Sequence, residues 1–450
     1  MSITDKQSPE RSEGDVNLSP RRSAWAQSHL DEKTEAMLAE DAKFFLHQSL
    51  STPCLNAIQA SEGIYLEDVQ GRKIMDFHGN SVHQVGHGHP RVIAAIKAQL
   101  DTMPFCPRRY TNQVAIDLAR RLVELAPGKL SKVLFAPGGT SAIGMALKLA
   151  RYATGRHKTV SMWDSFHGAS LDAISIGGEA LFRKDVGPLL PGTEHIPPPT
   201  RGKCLFNCED EQHSGCLEYL EYLFDMQGDV AALIAEPMRW TTVEPPPPGY
   251  WKKVREICDR HGVLLIFDEI PSALGRTGKM FVCEHFDVVP DMLVIGKGFG
   301  GGVFPMAALI TTAALDIVGD RALGHYTHEK SSVGCAAALA TLDCLQQDGL
   351  IENSIELGRH ALARLQSMQN KLPIIHEVRG LGLHLGVELR RNGKAASDEA
   401  DTVLYHSLSQ GLSYKVGGGC VLTLCPPMTI TKQALDQALD IVEAGIKSLA

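Results

Sequence analysis

The sequence predicts an α/β protein whose larger domain holds a mainly parallel β-sheet. Short, fully apolar segments such as 230–235 and 263–267 are expected to be strands buried on both faces. An amphipathic helix is expected between them at 249–260, with Gly262 in its C-cap. Strands that alternate with helices in this way are typical of a parallel sheet covered by helices.

The other predicted elements fit the same scheme. A helix is expected at 29–48, where apolar residues recur among charges, and a hairpin with Gly71 in its turn joins strands at 64–66 and 73–75. The further expected elements are strands at 132–135, 158–163 and 292–295, and a helix at 140–153.

The chain of 450 residues is long enough for two to three domains. Residues 1–22 are rich in Ser, Pro and charge and are expected to form a mobile tail. We predict a large domain at 81–334 and a smaller α+β domain built from the N-terminal segment 23–80 and the C-terminal segment 335–450.

Composition excludes several classes of function. Lys and Arg number 44 against 52 Asp and Glu, a net charge of −8, which argues against a nucleic-acid-binding protein. The sequence lacks the run of about 20 apolar residues that a membrane helix needs. The 11 cysteines are an odd number, and no apolar export signal is seen, so we expect reduced thiols and a cytoplasmic enzyme that acts on a small molecule.

Charged residues stand at the ends of three predicted strands, namely Glu236, Asp268 and Lys297. A glycine-rich turn at 137–141 follows a fourth strand and precedes a helix, so its backbone N–H groups can hold a phosphate. In an open parallel sheet these strand ends lie at one edge. A lysine for a Schiff base, a carboxylate for a ring nitrogen and a phosphate cradle are what pyridoxal 5'-phosphate requires.

Each of these features has a simpler interpretation when it is taken alone. A strand-end Asp268 often only caps a turn, and Lys297 between glycines can be an exposed loop residue. The glycine-rich segment 296–302 matches neither the P-loop nor the dinucleotide-binding pattern, so a nucleotide site is not favoured.

Taken together, the motifs resemble the class III (omega) aminotransferases, which are fold type I pyridoxal-phosphate enzymes. The resemblance runs from about residue 55 to the C-terminus. The segments that carry it are Ile266–Ile270, Gly275–Lys279, Val289–Asp291 and Gly296–Gly298, with supporting matches at Gly86–Pro90, Ala146–Arg151, Phe166–Gly168 and Glu236–Pro237.

The resemblance implies a role for each residue of the cofactor site. Lys297 would form the Schiff base and act as the catalytic residue, and Asp268 would pair with the ring nitrogen. The other implied cofactor residues are Gly139 and Thr140 at the phosphate, Phe166 stacked on the ring, His167 and Glu236 beside it, and Thr327 at the phosphate of the neighbouring subunit. The role of Thr327 implies a homodimer with shared active sites.

Departures from the family pattern concern the substrate. Family members that act on α-amino acids usually carry an Arg just before the C-terminal Pro-Pro, and here Thr423 occupies that place. A hydroxyl cannot replace a guanidinium that clamps a carboxylate, so we expect an amine whose nitrogen-bearing carbon has no carboxylate. The same loss weakens the case for a 2-oxo acid as amino acceptor.

Four cations stand at or near other positions that depart from the family pattern: Arg108, Arg109, Arg239 and Lys330. They indicate a dianionic phosphate or phosphonate group remote from the amine. The alternative is that they are solvated charges or members of ion pairs.

Some members of this family are lyases that act on amino-alkyl phosphates and phosphonates. The pattern is most similar to the bacterial ammonia-lyases of (R)-1-hydroxy-2-aminoethylphosphonate, which implies that Lys297 removes a proton from the amine-bearing carbon and hydroxide leaves from the next carbon. The products are phosphonoacetaldehyde and ammonia. The alternatives are an aminotransferase for an amine or aminophosphonate donor with an oxo-acid acceptor, and a non-catalytic protein, against which the intact Lys297 and Asp268 argue.

One further cluster has metal-ligand residue types: Cys204, Cys208, His213 and Cys216. Its spacing fits no specific zinc pattern, and the cysteines are expected to be free thiols. A structural zinc site at this cluster remained the alternative, and no metal ion is expected in the active site.

Overall fold

A computed structural model describes residues 19–49, 51–200, 205–206, 208 and 214–449. The chain divides into two compact units. The first unit takes the chain up to residue 88, the segment 241–243 and the chain from residue 352 onward, and the second takes 89–240 and 244–351. No helix in the described ranges is long and apolar enough to cross a membrane.

The helices and strands are numbered here in chain order. The helices of the described residues are α1 Pro20–His29, α2 Glu32–Phe44, α3 Pro90–Thr102, α4 Gln113–Leu125, α5 Gly139–Thr154, α6 Leu171–Ile176, α7 Ala180–Arg183, α8 Ser214–Gln227, α9 Tyr250–His261, α10 Ser332–Gln347, α11 Leu350–Gln369, α12 Ser397–Ser409 and α13 Lys432–Lys447. The strands are β1 Ile58–Glu62, β2 Tyr65–Asp68, β3 Lys73–Asp76, β4 Leu130–Ala136, β5 Lys158–Met162, β6 Thr193–Ile196, β7 Val230–Ala235, β8 Leu264–Asp268, β9 Met292–Ile295, β10 Ala307–Thr312, β11 Ile375–Leu381, β12 His384–Arg391, β13 Lys394–Ala395, β14 Leu412–Ser413, β15 Lys415–Gly417 and β16 Val421–Leu424.

A seven-stranded sheet forms the centre of the second unit, in the order β4-β10-β9-β8-β7-β5-β6. All pairs from β9 to β6 are parallel, and β10 alone runs antiparallel to both of its neighbours. This arrangement confirms the prediction of an α/β protein with a mainly parallel sheet.

The apolar composition of the central strands explains their position. Every residue of β7 and β9 is buried, as expected of strands with helices on both faces. Helix α5 packs its buried face, which includes Ile143 and Met145, into the same core. Gly262 has a φ of +61° after the last turn of α9, which confirms the predicted C-cap.

The first unit combines helices with two sheets. One sheet has the order β1-β2-β3-β14, and the other has β11-β12-β16-β15 with β13 paired to β12. Strands β2 and β3 form the predicted antiparallel hairpin, and Gly71 in its turn has a φ of +79°, which glycine adopts without strain.

The predictions for the N-terminal region were partly wrong. The helix expected at 29–48 is shorter and corresponds to α2, Glu32–Phe44, because Asp31 accepts the N–H of Thr34 at 2.8 Å and caps its start. The mobile tail expected at 1–22 cannot include residues 19–22, because Ser19 caps α1. Trp25 of α1 is buried in an apolar cluster with residues of the same unit. Residues 1–18 lie outside the described part.

The chain passes from one compact unit to the other after residues 88 and 351, whereas we predicted domain boundaries after residues 80 and 334. Helix α10, which we expected to open the C-terminal segment, packs against α3 and α4 of the second unit. The division into domains stays a prediction, because compactness alone does not define a part that folds independently.

Candidate active site

The carboxyl ends of neighbouring strands gather the predicted site residues at one edge of the large sheet. Glu236 follows β7, Asp268 ends β8 and Lys297 follows β9, and these three strands are adjacent and parallel. Strand β4 runs in the same direction, since both β4 and β9 are antiparallel to β10. The turn before α5 therefore opens at the same edge, where ligands of open α/β sheets bind.

Asp268 is held in a defined orientation by two contacts. One carboxylate oxygen, Oδ2, lies 2.8 Å from Nδ1 of His167, and the other accepts the backbone N–H of Ile270 at 3.1 Å. Both Asp268 and His167 are 2% exposed. When the carboxylate is charged, Nδ1 of the imidazole donates to it, and Nε2 is left as a buried acceptor with no hydrogen-bond partner in the described part of the chain.

The start of α5 provides a site for an anion. The cap residue Gly138 offers no side-chain acceptor to the first turn, so the N–H groups there can bind a phosphate. A Cβ on Gly139 would lie 2.7 Å from Cδ1 of Ile270, and one on Gly296 would lie 3.2 Å from its Cγ2. The Ile270 side chain therefore fills the space between this turn and the lysine loop, and a side chain at 139 would have to displace it.

The segment Phe166–Gly168 lies against the same turn. A Cβ on Gly168 would come within 2.4 Å of Oγ1 of Thr140, and Gly168 has a φ of +128° that favours glycine. The backbone N–H of Phe166 donates to Oε1 of Glu236 at 3.1 Å. These contacts and the His167–Asp268 contact bring together predicted cofactor residues of four separate segments, namely Thr140, Phe166 with His167, Glu236 and Asp268.

Lys297 adopts an unusual backbone conformation. Its φ of +46° lies in the left-handed region, which costs free energy for any residue with a Cβ. The residue begins a short 3-10 helix, Lys297–Gly300, and is half-buried while its neighbours Gly296 and Gly298 are buried. The packed surroundings hold the lysine backbone in place, as is common at functional sites.

These residues fit the cofactor that the sequence predicts. Lys297 would supply the amine for its aldehyde, Asp268 would supply a carboxylate for a protonated ring nitrogen, and the first turn of α5 would supply the donors for its phosphate. Bound pyridoxal 5'-phosphate supplies an electron sink for charge that develops at the amine-bearing carbon. The protein's part is to hold the lysine, the carboxylate and the donors in place.

Arg239 is bound by carboxylates of the protein. Nη1 donates to Glu236 at 2.7 Å, Nη2 donates to Glu179 at 3.1 Å, and Nε lies 3.8 Å from Asp164. The side chain is 10% exposed. The expectation that Arg239 binds an anion of the substrate therefore loses its support, and the ion-pair alternative describes what is seen.

The ion pairs also set the charge state of Glu236. Burial alone would raise the pKa of Glu236, but the Arg239 charge and two backbone N–H donors hold the pKa below its usual value. One donor is Phe166, and the other is Trp240, whose N–H lies 3.0 Å from Oε2. Glu236 therefore acts as a charged anchor for the backbone next to the ring-stacking position.

The other three predicted cations lie on an exposed surface of the second unit. Arg108 contacts Nε2 of His325, and Asn112 donates to the backbone oxygen of Lys330 at 3.3 Å. The side chains of Arg109, Thr327 and Lys330 are exposed. The segments 105–112 and 325–330 thus lie side by side.

Thr423, in place of the family arginine, binds the protein backbone. It is 3% exposed on β16, and its hydroxyl donates to the carbonyl of Thr241 at 2.9 Å. The segment 241–243 is held further by Arg379, whose guanidinium donates to the carbonyls of Thr242 and Val243. The hydroxyl of Thr423 is therefore already used in the fold.

Two residues of the site were missed by sequence reasoning. Glu179 is 2% exposed and pairs with Arg239, which lies 60 residues later in the chain. Glu179 stands in an irregular segment, and no sequence signal marks it. Ile270 stands inside a recognised motif two residues after Asp268. That position was the available signal for a contact with the cofactor turn.

The family model described as aminotransferase class-III matches residues 47–446. An (R)-1-hydroxy-2-aminoethylphosphonate ammonia-lyase of Vibrio splendidus (strain 12B01) is 48% identical over 97% of this chain and 95% of its own. An alanine/serine racemase of Pyrococcus horikoshii is 32% identical over 86% of this chain and 84% of its own.

Solved structures of transaminases share the fold. An amine transaminase from an uncultivated Pseudomonas species, in its PLP-bound form, superimposes with a TM-score of 0.85 and 29% identity. The match covers 90% of this chain and 99% of that one.

Proposed function

The chain belongs to the class III aminotransferase family, and from this premise we propose that it is an ammonia-lyase of (R)-1-hydroxy-2-aminoethylphosphonate. The predicted family, the fold type I class and the cofactor pyridoxal 5'-phosphate are confirmed. The protein is an enzyme with lyase or aminotransferase activity. The substrate is the part of the proposal that membership of the family does not establish.

What supports the lyase most strongly is the 48% identity to the Vibrio splendidus lyase across nearly the whole of both chains. The geometry around Thr423 agrees with a substrate that lacks a carboxylate on its amine-bearing carbon. A buried hydroxyl that donates to Thr241 gives no positive charge for a carboxylate clamp.

The residues of the site suit an elimination. Lys297 would take one proton from the amine-bearing carbon, Asp268 would pair with the ring nitrogen, and hydroxide would leave from the phosphonate-bearing carbon. The proton and the hydroxide together amount to one water. The released enamine becomes an imine and takes back one water as it hydrolyses to phosphonoacetaldehyde and ammonia, so no second substrate is consumed.

We propose further that the enzyme is a cytoplasmic homodimer with shared sites. Thr327, Arg108, Arg109 and Lys330 lie on one exposed surface, and a partner's active site would use them for phosphate and phosphonate groups. Reduced cysteines at ten described positions are in keeping with a reducing compartment.

An aminotransferase is the second candidate, because the family and the solved neighbours are transaminases. It would use an amine or aminophosphonate donor and an oxo-acid acceptor. The requirement for an acceptor separates the two functions, since a lyase turns over without one.

The test is ammonia release from racemic 1-hydroxy-2-aminoethylphosphonate by cofactor-loaded protein, with no oxo acid present. We expect many equivalents of ammonia per site, and none from Lys297→Ala. Release that never exceeds one equivalent would reject the lyase, and a screen of amine donors with oxo acids would then test the aminotransferase.

A further inference from the structure

The cysteine-rich segment before α8 is described only in part. Cys208 and Cys216 are free cysteines, and Cys204 and His213 lie outside the described residues. The zinc alternative for this cluster therefore stays a prediction.

Residues 239–244 form a tight hairpin that the proposed reaction does not use directly. The backbones of Arg239 and Glu244 exchange two hydrogen bonds, of 3.3 and 3.1 Å, which close the base of the hairpin. These two residues belong to the second unit, whereas residues 241–243 between them pack with the first. The chain therefore leaves one unit and returns to it within six residues.

A row of paired residues in the first unit receives the segment 241–243. Arg379 on β11 pairs with Gly386 on β12, which pairs with Thr423 on β16. Residues that stand directly opposite each other in a sheet present their side chains on the same face. The Arg379 guanidinium donates to two carbonyls of the segment at 2.8 and 2.9 Å, and the Thr423 hydroxyl donates to the third at 2.9 Å. All three carbonyls of the segment are thus held from one face of this sheet.

The backbone of the segment is strained. Val243 is buried and has a φ of +52°, which is rare for a β-branched residue. A Cβ on Gly417 would overlap the carbonyl oxygen of Thr241, and one on Gly386 would lie 2.9 Å from Cβ of Val243. Such a conformation persists only where the surroundings fix it, as they do here.

Arg379 is itself fixed by two carboxylates. Its side chain is 9% exposed, and Nη1 donates to Glu377 at 2.8 Å and to Glu388 at 2.7 Å. Nε and Nη2 are left for the carbonyls of the segment. A planar guanidinium can serve these acceptors together, whereas an ammonium group cannot.

The base of the hairpin holds a residue of the cofactor site. Trp240 donates its backbone N–H to Oε2 of Glu236 at 3.0 Å, and Arg239 donates to Oε1 at 2.7 Å. The same Oε1 accepts the backbone N–H of Phe166 at 3.1 Å. The first two residues of the hairpin therefore orient the carboxylate that anchors Phe166, the residue expected to stack on the cofactor ring.

We propose that Arg379 is a positioning residue for the cofactor and acts on Phe166 through the hairpin 239–244 and Glu236. Arg379 holds the strained segment, the segment fixes the base of the hairpin, and the base orients Glu236. Thr423 supports the same segment from the neighbouring position in the row. The proposal concerns the cofactor site and goes beyond the choice of substrate, so it applies to a lyase and to an aminotransferase alike.

The first test is the visible circular dichroism of the cofactor-loaded protein, because the bound ring gains this signal from its asymmetric surroundings. We expect Arg379→Lys to lose intensity in this band per bound cofactor. We also expect kcat for ammonia release to fall about tenfold, as for other outer-shell partners, with a smaller change in KM. Arg390→Gln removes the second arginine on Glu388 and is the matched control, in which the band should be unchanged.

The second test uses a milder variant of the same row. Thr423→Val keeps the shape of the side chain and removes the hydroxyl that holds the carbonyl of Thr241, so we expect a smaller loss of the same band. Urea unfolding establishes that each variant is folded. The band is measured whether or not ammonia is released, so failure of the lyase proposal leaves this test intact.

A purely structural role gives a different result. In that case Arg379→Lys would lower the resistance to urea and leave the visible band of the folded protein unchanged, which would overturn the proposal. If Arg379→Lys does not fold, Thr423→Val decides alone, and an unchanged band in that variant would overturn the proposal.

Discussion

The Nδ1 atom of His167 lies 2.8 Å from Oδ2 of Asp268, and both side chains are buried. The imidazole contacts Oδ2 and the backbone N–H of Ile270 donates to Oδ1, so each carboxylate oxygen has its own donor. An acid that must face a ring nitrogen cannot rotate freely when both oxygens are held. His167 is therefore a positioning residue for Asp268.

Substitution of His167 tests this role. His167→Ala should lower kcat by about ten- to a hundredfold, the usual cost of losing an outer-shell partner, with a smaller change in KM. His167→Asn keeps a donor near Nδ1 and should restore part of kcat. The measurement is steady-state ammonia release, with the exposed His157→Ala as control. Equal losses for the Ala and Asn variants would contradict the positioning role.

The ion pairs of Arg239 predict a loss of stability rather than a loss of substrate binding. Arg239→Gln leaves Glu236 and Glu179 buried without their common counter-charge, and breaking a buried pair in this way costs about 3–5 kcal/mol. The free energy of unfolding is measured in urea. Adding Glu179→Gln to Arg239→Gln should restore part of it, because one of the two buried charges is removed.

Substrate kinetics provide the contrasting readout for Arg239. If Arg239→Gln unfolded like the unaltered protein but raised KM strongly, the arginine would bind the substrate anion after all. The ion-pair interpretation requires a lower free energy of unfolding and a KM close to that of the unaltered protein.

Shared active sites predict a specific result in mixed dimers. Co-expressed subunits that carry Lys297→Ala and Arg108→Ala should form a dimer with about half of the activity of the unaltered dimer, because one site then combines an intact lysine with an intact arginine from the partner. Two affinity tags isolate the mixed dimer for the ammonia assay.

The reciprocal dimer is the control for this prediction. One subunit carries both substitutions and the other carries none, so the intact lysine meets an altered arginine, and activity should be low. If this dimer were the active one, Arg108 would serve the site of its own subunit.

The sequence was sufficient to predict those site residues that directly follow a strand. Asp268 and Lys297 follow apolar strands directly, and parallel strands bring their carboxyl ends together, so their meeting could be predicted without coordinates. The roles of Gly139 and Thr140 came from a resemblance. The structure adds the contacts of Ile270 and Gly168 that explain why the turn is glycine-rich.

Two of the three partners of Arg239, Asp164 and Glu179, could not be predicted, because they lie in other segments that meet Arg239 only through tertiary packing. Glu179 lies 60 residues away in sequence, in a region with no periodic pattern. The start of α2 was predicted three residues too early for a different reason. Apolar periodicity gives only approximate helix boundaries, and the cap at Asp31 is the local signal that marks the start.

The pH dependence of stability should carry a contribution from Glu269, the residue after Asp268. Its carboxylate is fully buried and accepts the N–H groups of Val282 at 2.6 Å and Cys283 at 2.8 Å. Burial raises the pKa of Glu269 to about 7, and these hydrogen bonds offset only part of that effect. The folded protein thus holds this proton more tightly than the unfolded chain, whose carboxyl has the ordinary value of 4.5.

The sign of the effect follows from linkage. The contribution of Glu269 to the free energy of unfolding is complete below pH 4.5 and is lost as the pH rises through about 7. Glu269→Gln should flatten the fall of stability across this window, even if its absolute stability is lower, since an amide can accept only one of the two N–H bonds in the same way. Urea unfolding at a series of pH values measures the slope. Glu256→Gln, an exposed carboxyl on α9, should keep the slope of the unaltered protein, and an unchanged slope in Glu269→Gln would show that the buried carboxyl does not titrate in this range.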